Sequence, residues 1–149
     1  MRAVLQRAAS AFVTVEGETL GKIEQGIVAL IGVMKGDTEE DLGYICDKIA
    51  ALRIFDDENG VPNRSVQEID GEVLLISQFT LCADAQHGRR PSYFHATPAE
   101  EAQPLYEKGI QLLREKGIRV ATGKFQADMQ VTLINDGPMT ILLDSRRTF

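Results

Sequence analysis

Two short stretches of this chain have residue types that could support chemistry without a conventional side-chain catalyst. The first, Ser77-Gln78-Phe79-Thr80, gathers hydroxyl and amide side chains where an apolar run, Glu72 to Gln78, gives way to a polar loop. Backbone N–H groups at such a strand end stabilise the oxyanion formed when water attacks an activated ester, and one such donor is worth ~10²–10³ in rate. Thr80 could instead be a nucleophile, but no adjacent base is visible to activate it. The second stretch, Asn135-Asp136-Gly137-Pro138, is a stiff corner between two apolar, β-branched runs. Proline fixes φ and lacks an N–H, so the corner presents two backbone carbonyls, and an X-Pro bond is free to be cis. Read locally, the corner is a hairpin connection and Ser77–Thr80 is a strand ending in a turn.

The other reactive residues narrow the options. The chain contains no GxSxG elbow, no HExxH and no CxxC. Gly117 to Gly123-Lys124 imitates a phosphate loop but has one residue too many, with Phe125 where Ser or Thr must hold magnesium. His87 and His95 lie in or beside a loop without an orienting carboxylate, which reads as solvated histidine. Asp56-Asp57-Glu58 lacks the alternating ligands and distal glutamate of a calcium loop and reads as a solvated turn. Cys46 and Cys82 are too few and too far apart for a disulfide framework or a zinc site; they read as buried thiols of a reducing cytoplasm. No metal and no cofactor are expected.

The positioning elements come from the rest of the 149 residues, a length that suits one domain, 1–149. A net charge of −6 argues against indiscriminate nucleic-acid binding but leaves room for a local basic patch. No apolar run approaches the ~20 residues of a membrane span, and the opening MRAVLQRAAS has no long apolar segment of a signal peptide. The expected location is cytoplasmic. Residues 2–7, 11–15, 19–24 and 27–34 read as four strands, the last covered on both faces. Asp37-Thr38-Glu39-Glu40 opens a helix with Leu42, Ile45, Cys46, Ile49 and Leu52 on one face. Thr97-Pro98-Ala99-Glu100 has the pattern of a capping box, starting a helix to Lys116 that Gly117 ends and Pro104 should kink or split. Strands at 118–122, 128–135 and 138–144 complete a curved, glycine-punctuated sheet.

Taken as an ordered pair, Ser77-Gln78-Phe79-Thr80-Leu81 and Asn135-Asp136-Gly137-Pro138-Met139-Thr140 resemble the signature motifs of D-aminoacyl-tRNA deacylases. The likeness extends through Leu5-Gln6-Arg7, Val13-Thr14-Val15, Arg53-Ile54-Phe55, Gly88 with Arg90-Pro91-Ser92, and Ala127-Asp128-Met129-Gln130-Val131. Two positions depart from the family pattern: Gln126, where a small residue is usual, and Met139, where valine is usual.

This resemblance implies an α+β fold, a single compact domain with a curved barrel-like sheet and two main packing helices, dimeric. It implies hydrolysis of the ester of D-aminoacyl-tRNA at the tRNA 3′ end, and of glycyl-tRNA, by a homodimer with cross-subunit active sites. The Gly137–Pro138 bond would be cis, its carbonyls excluding an L side chain inside the partner's pocket. Main-chain N–H groups of Phe79 and Thr80 would face the ester, with Ser77 and Gln78 on the same wall and the tRNA 2′-hydroxyl assisting water. Arg7, Met129 and Asn135 would support corner and pocket. Two other readings compete: an ester or peptidyl hydrolase using Thr80 as covalent nucleophile, and a non-catalytic dimeric nucleic-acid-binding module using Arg89, Arg90, Arg146 and Arg147.

Overall fold

A computed structural model describes residues Met1–Phe149. Strand β1 (Arg2–Val15) runs the length of the molecule and pairs on both sides. One side takes β3 (Gly26–Gly32) along the first half of β1 and β2 (Glu18–Ile23) along the second. The other side takes β8 (Gln130–Asp144), from Arg2↔Asp144 to Thr14↔Gln130. The separate strands expected at 2–7 and 11–15 are therefore one element. Ala8, Ala9, Ser10 and Ala11 do not break an extended chain, and β1 changes partner there without ending.

Beyond β3 the sheet becomes parallel. β6 (Glu72–Ser77) joins β3, and β7 (Arg119–Thr122) joins β6. The crossovers carry α1 (Glu39–Ala51) and α2 (Ala99–Glu115), with a small ribbon of β4 (Phe55–Asp56) and β5 (Pro62–Arg64) after α1. The first and last strands of the order β2-β1-β3-β6-β7 approach each other, so the sheet nearly closes into a barrel. A 23-residue core lies between sheet and helices, and a 7-residue core, including Val13, Ile23, Val28 and Leu74, fills the inside of the curve. Burial of these aliphatic side chains, each worth ~1.5–3 kcal/mol, holds the curvature.

Of the two helix starts expected from sequence, only the first is capped by a side chain. Thr38 caps α1, its Oγ1 accepting from Glu40 N at 3.3 Å while Asp41 Oδ2 accepts from Thr38 N at 2.8 Å. Burial pushes the Asp41 carboxyl up, yet hydrogen bonds from Ser145 and Thr38 outweigh it and hold the group below its usual value. The capping box expected at Thr97–Glu100 does not form. Pro98 occupies the cap with extended dihedrals, and Thr97 spends its N–H on Val33 O at 3.0 Å, one residue outside the helix. Pro104 does not split α2, which runs unbroken as one element; so near the N-terminus its missing N–H removes one bond only.

Candidate active site

The larger correction concerns the corner. Both halves of β8 pair with the same strand, β1, in the same direction, so Asn135–Pro138 is not a hairpin turn. It is a bulge inside one strand. Gln6 pairs with Thr140 and Ala8 with Asn135, which leaves four residues, Asp136 to Met139, opposite Arg7 alone. Proline is tolerated here because bulged residues contribute nothing to the ladder. The Gly137–Pro138 peptide is cis.

Two side chains hold this bulge. Arg7, buried, donates from Nε to Asp136 O at 2.9 Å and from Nη1 to Ile54 O at 2.7 Å, with Asp56 Oδ1 at 3.5 Å. Asn135 spans the base: its Oδ1 accepts from Met139 N at 2.7 Å, and its Nδ2 donates to Thr140 Oγ1 at 3.2 Å. Gly137 sits at φ +133°, and a Cβ added there would lie 2.9 Å from Arg7 Nη2. Only glycine satisfies both the dihedral and the guanidinium. Asp136, Gly137 and Pro138 are exposed, while Met139 is half-buried against the large core, so methionine fits where valine is usual.

The Ser77–Thr80 stretch is built by other means. Ser77 ends β6 beside Ile31, and Gln78 N donates to Ile31 O at 2.7 Å. The chain then tightens into a 3-10 turn, Phe79–Cys82, whose first hydrogen bond runs from Leu81 N to Gln78 O. The N–H groups of Phe79 and Thr80 precede that bond and have no partner inside the turn. Gln78 Nε2 donates to Thr80 Oγ1 at 2.5 Å, so the hydroxyl is paired with an amide and not with a base. The turn can lie against β3 because residue 32 is glycine; a Cβ there would come within 2.9 Å of Gln78 O and 3.0 Å of Cys82 Sγ.

A groove of about 540 Å³ opens beside this wall. Its lining includes Ser77, Gln78 and Phe79, residues 125–129 from the segment before β8, and Val33, Thr97 and Ala102. Behind it, the Tyr106 hydroxyl donates to Leu75 O at 2.8 Å, and burial pushes its pKa up to about 12. Cys82 is likewise raised by burial, with Arg2 partly offsetting it, and both thiols are buried and unpaired. No residue from Ser77 to Thr80 ionises in the working pH range.

Of the residues singled out from sequence, Ser77, Gln78, Phe79, Thr80 and Met129 come together around the groove or its mouth. Arg7, Asn135, Gly137 and Pro138 come together at the bulge and do not line the groove of their own chain. Arg7 contacts the corner through Asp136 O, and Gln78 lines the groove with its side chain bonded to Thr80. The sequence reading missed Phe125, Gln126, Val33 and Thr97 as groove residues. Gln126 takes φ +63°, which explains why a small residue suits the position. The turn-forming run Gly123-Lys124-Phe125-Gln126-Ala127-Asp128 between two strands was the available signal.

Residues 4–144 match the family model described as D-Tyr-tRNA(Tyr) deacylase. A D-aminoacyl-tRNA deacylase of Thermotoga petrophila is 54% identical over 149 residues, covering 100% of both chains. One from Neisseria meningitidis is 56% identical over 152 residues, covering 99% of this chain and 93% of its own. Among solved structures, the "c-Myc DNA Unwinding Element Binding Protein" is 41% identical with a TM-score of 0.91, covering 97% of this chain and 98% of that one. A "probable eukaryotic D-amino acid tRNA deacylase" superposes with a TM-score of 0.83 at 15% identity, covering 95% and 97%, a likeness of fold. With a family model matching residues 4–144 and relatives more than half identical over the whole chain, this protein belongs to the D-aminoacyl-tRNA deacylase family.

Proposed function

We propose that this chain hydrolyses the ester of D-aminoacyl-tRNA, and of glycyl-tRNA, to free tRNA and amino acid, while rejecting L-aminoacyl-tRNA. The observation that carries the reading is the pairing of two backbone devices: unpartnered amides at the start of the 3-10 turn and a braced Gly137-Pro138 bulge. Water attacks the ester carbonyl, and the developing oxyanion takes hydrogen bonds from Phe79 N–H and Thr80 N–H. The bond to the ribose 3′ oxygen breaks, and that oxygen leaves with a proton. The terminal 2′-hydroxyl of the RNA orients the water, a role that no side chain near Thr80 is placed to take. The Gly137 and Pro138 backbone faces Cα of the amino acid from the opposite side, so an L side chain collides with it and a hydrogen does not. Glycine therefore passes the same test.

This arrangement requires two copies of the chain, because the bulge does not reach the groove of its own chain. A homodimer with exchanged corners supplies it. The outer edge of β8 suits such a contact: it pairs on one side only, and Ile134 (61% exposed) and Leu142 (59%) stand along it, with Phe12 (36%) on the neighbouring strand β1. No metal or organic cofactor enters the scheme, and no helix is long and apolar enough to cross a membrane.

The name of the DNA-unwinding-element relative favours a second reading, nucleic-acid binding without turnover. Matched D- and L-tyrosyl-tRNA separate the two. Rapid ester loss from the D form alone is the expected result. Equal loss from both, or none from either, overturns the deacylase reading.

A further inference from the structure

Two of the chain's exposed apolar surfaces differ in kind. On the β8 edge the large exposed groups are aliphatic, Ile134 and Leu142, with Phe12 on β1 beside them. Running out from the groove they are all aromatic: Phe79 (55% exposed), which lines it, Tyr93 (42%), which packs on Phe79, and Phe94 (69%), next in the chain. An aliphatic edge on an unpaired strand is what a second polypeptide covers. Aromatic rings standing in solvent among cations are what unpaired nucleotides stack on.

The cations are present locally although the whole chain carries −6. Lys35 Nζ lies 3.9 Å from the Phe94 ring centroid, and His95 packs edge-on to the same ring at 5.5 Å. The loop leading into Tyr93 is closed by reciprocal 2.8 Å hydrogen bonds between Asp84 and Ser92, and its span carries His87, Arg89 and Arg90. Asp84 is the one acid in residues 84–97. The segment is fixed in place: His95 O accepts from Lys35 N at 2.9 Å, and Tyr93 O accepts from Ala96 N at 3.0 Å. It is also continuous with the groove, because Phe79, which lines the groove, meets Tyr93 edge-on at 5.1 Å.

We infer that Phe94 and Tyr93, with Lys35, form a stacking platform for the unpaired nucleotides that precede the aminoacylated 3′ terminus. Lys35 and the Arg89-Arg90 pair neutralise the phosphates between them. This inference rests on the deacylase reading for the identity of the RNA, and it adds a recognition surface outside the groove. It assigns the aromatic face to RNA and leaves the aliphatic edge to the second copy of the chain.

The test uses the full-length protein and a labelled single-stranded oligoribonucleotide ending in CCA, titrated by fluorescence anisotropy. Phe94→Ala is expected to weaken binding on the order of tenfold, as loss of one base–aromatic stack does. Lys35→Gln is expected to weaken it by about threefold and to reduce the salt dependence by roughly one counterion. In parallel, the KM for D-tyrosyl-tRNA should rise in Phe94→Ala with kcat held, while hydrolysis of D-tyrosyl-adenosine, which has no preceding nucleotides, stays unchanged. Unchanged oligonucleotide affinity in both variants overturns the platform. So does a loss of affinity that tracks dissociation to monomer in sedimentation velocity, which would mark the face as a protein interface. If unmodified protein binds the oligonucleotide but releases no D-amino acid, the deacylase reading falls while the binding arm still decides the platform.

Discussion

The groove wall and the corner are both made of backbone, but they are held in place in opposite ways. The Ser77–Thr80 wall is set by main-chain hydrogen bonds at the end of a buried strand, and Gly32 lets the turn lie against β3. The Gly137-Pro138 corner stands in solvent at the sheet's outer edge and is set by side chains, Arg7 from behind and Asn135 across its base. A wall built from the sheet inherits the rigidity of the core. A corner fixed by two side chains can be released by changing one residue. Under the proposed function the labour is divided accordingly: the wall performs the reaction common to every substrate and the corner performs the sorting.

Substitutions should separate the two roles. The largest effect is expected at Gly137→Ala, where the new Cβ meets Arg7 and the positive φ becomes unfavourable. A carbonyl shifted by about an ångström should cost on the order of a hundredfold in discrimination between D- and L-tyrosyl-tRNA, measured as the ratio of kcat/KM values. Preserved discrimination would show that sorting lies elsewhere. Next comes Gly32→Ala, which pushes the 3-10 turn off β3. Overpacking of this size should lower kcat roughly tenfold with the D-to-L ratio intact, and a changed ratio would merge the two roles that the geometry separates. The smallest effect is expected at Thr80→Ala, within about threefold in kcat, because the proposed donors are main-chain N–H groups and the hydroxyl is paired only with Gln78. A loss of several orders of magnitude in folded protein would move the chemistry to the side chain, and an acyl-Thr80 adduct would confirm that move.

How much could be read from sequence follows the same contrast. Strand and helix content, the α1 face and the groove-wall residues were legible, because periodicity, caps and turn chemistry act within a few residues. The corner's residues were legible, but its topology was not. Asn135 to Pro138 between two apolar runs reads as a hairpin because local sequence does not say which strand each run will pair with. That information lies in β1, a chain-length away, in the single buried Arg7 that faces four residues of β8. Likewise the failed box at Thr97 turns on Val33, which claims its N–H, and the partition of 2–15 into two strands ignored a change of partner that only the sheet reveals. Gln126 illustrates the converse: the resemblance marked it as unusual, and its left-handed backbone supplies the reason.

The β1–β8 ladder also has a consequence for how the molecule comes into being. Arg2 pairs with Asp144 and Gln6 with Thr140, so Arg7 leaves the ribosome long before the corner it holds. At ordinary elongation speeds, on the order of ten seconds separate the two. During that interval β1 has β2 and β3 on one side and an open edge on the other, a template for any passing strand. The nascent chain can assemble its groove wall first, since β3, β6 and the 3-10 turn are complete well before β8 emerges. The Gly137-Pro138 corner is the last piece to be delivered.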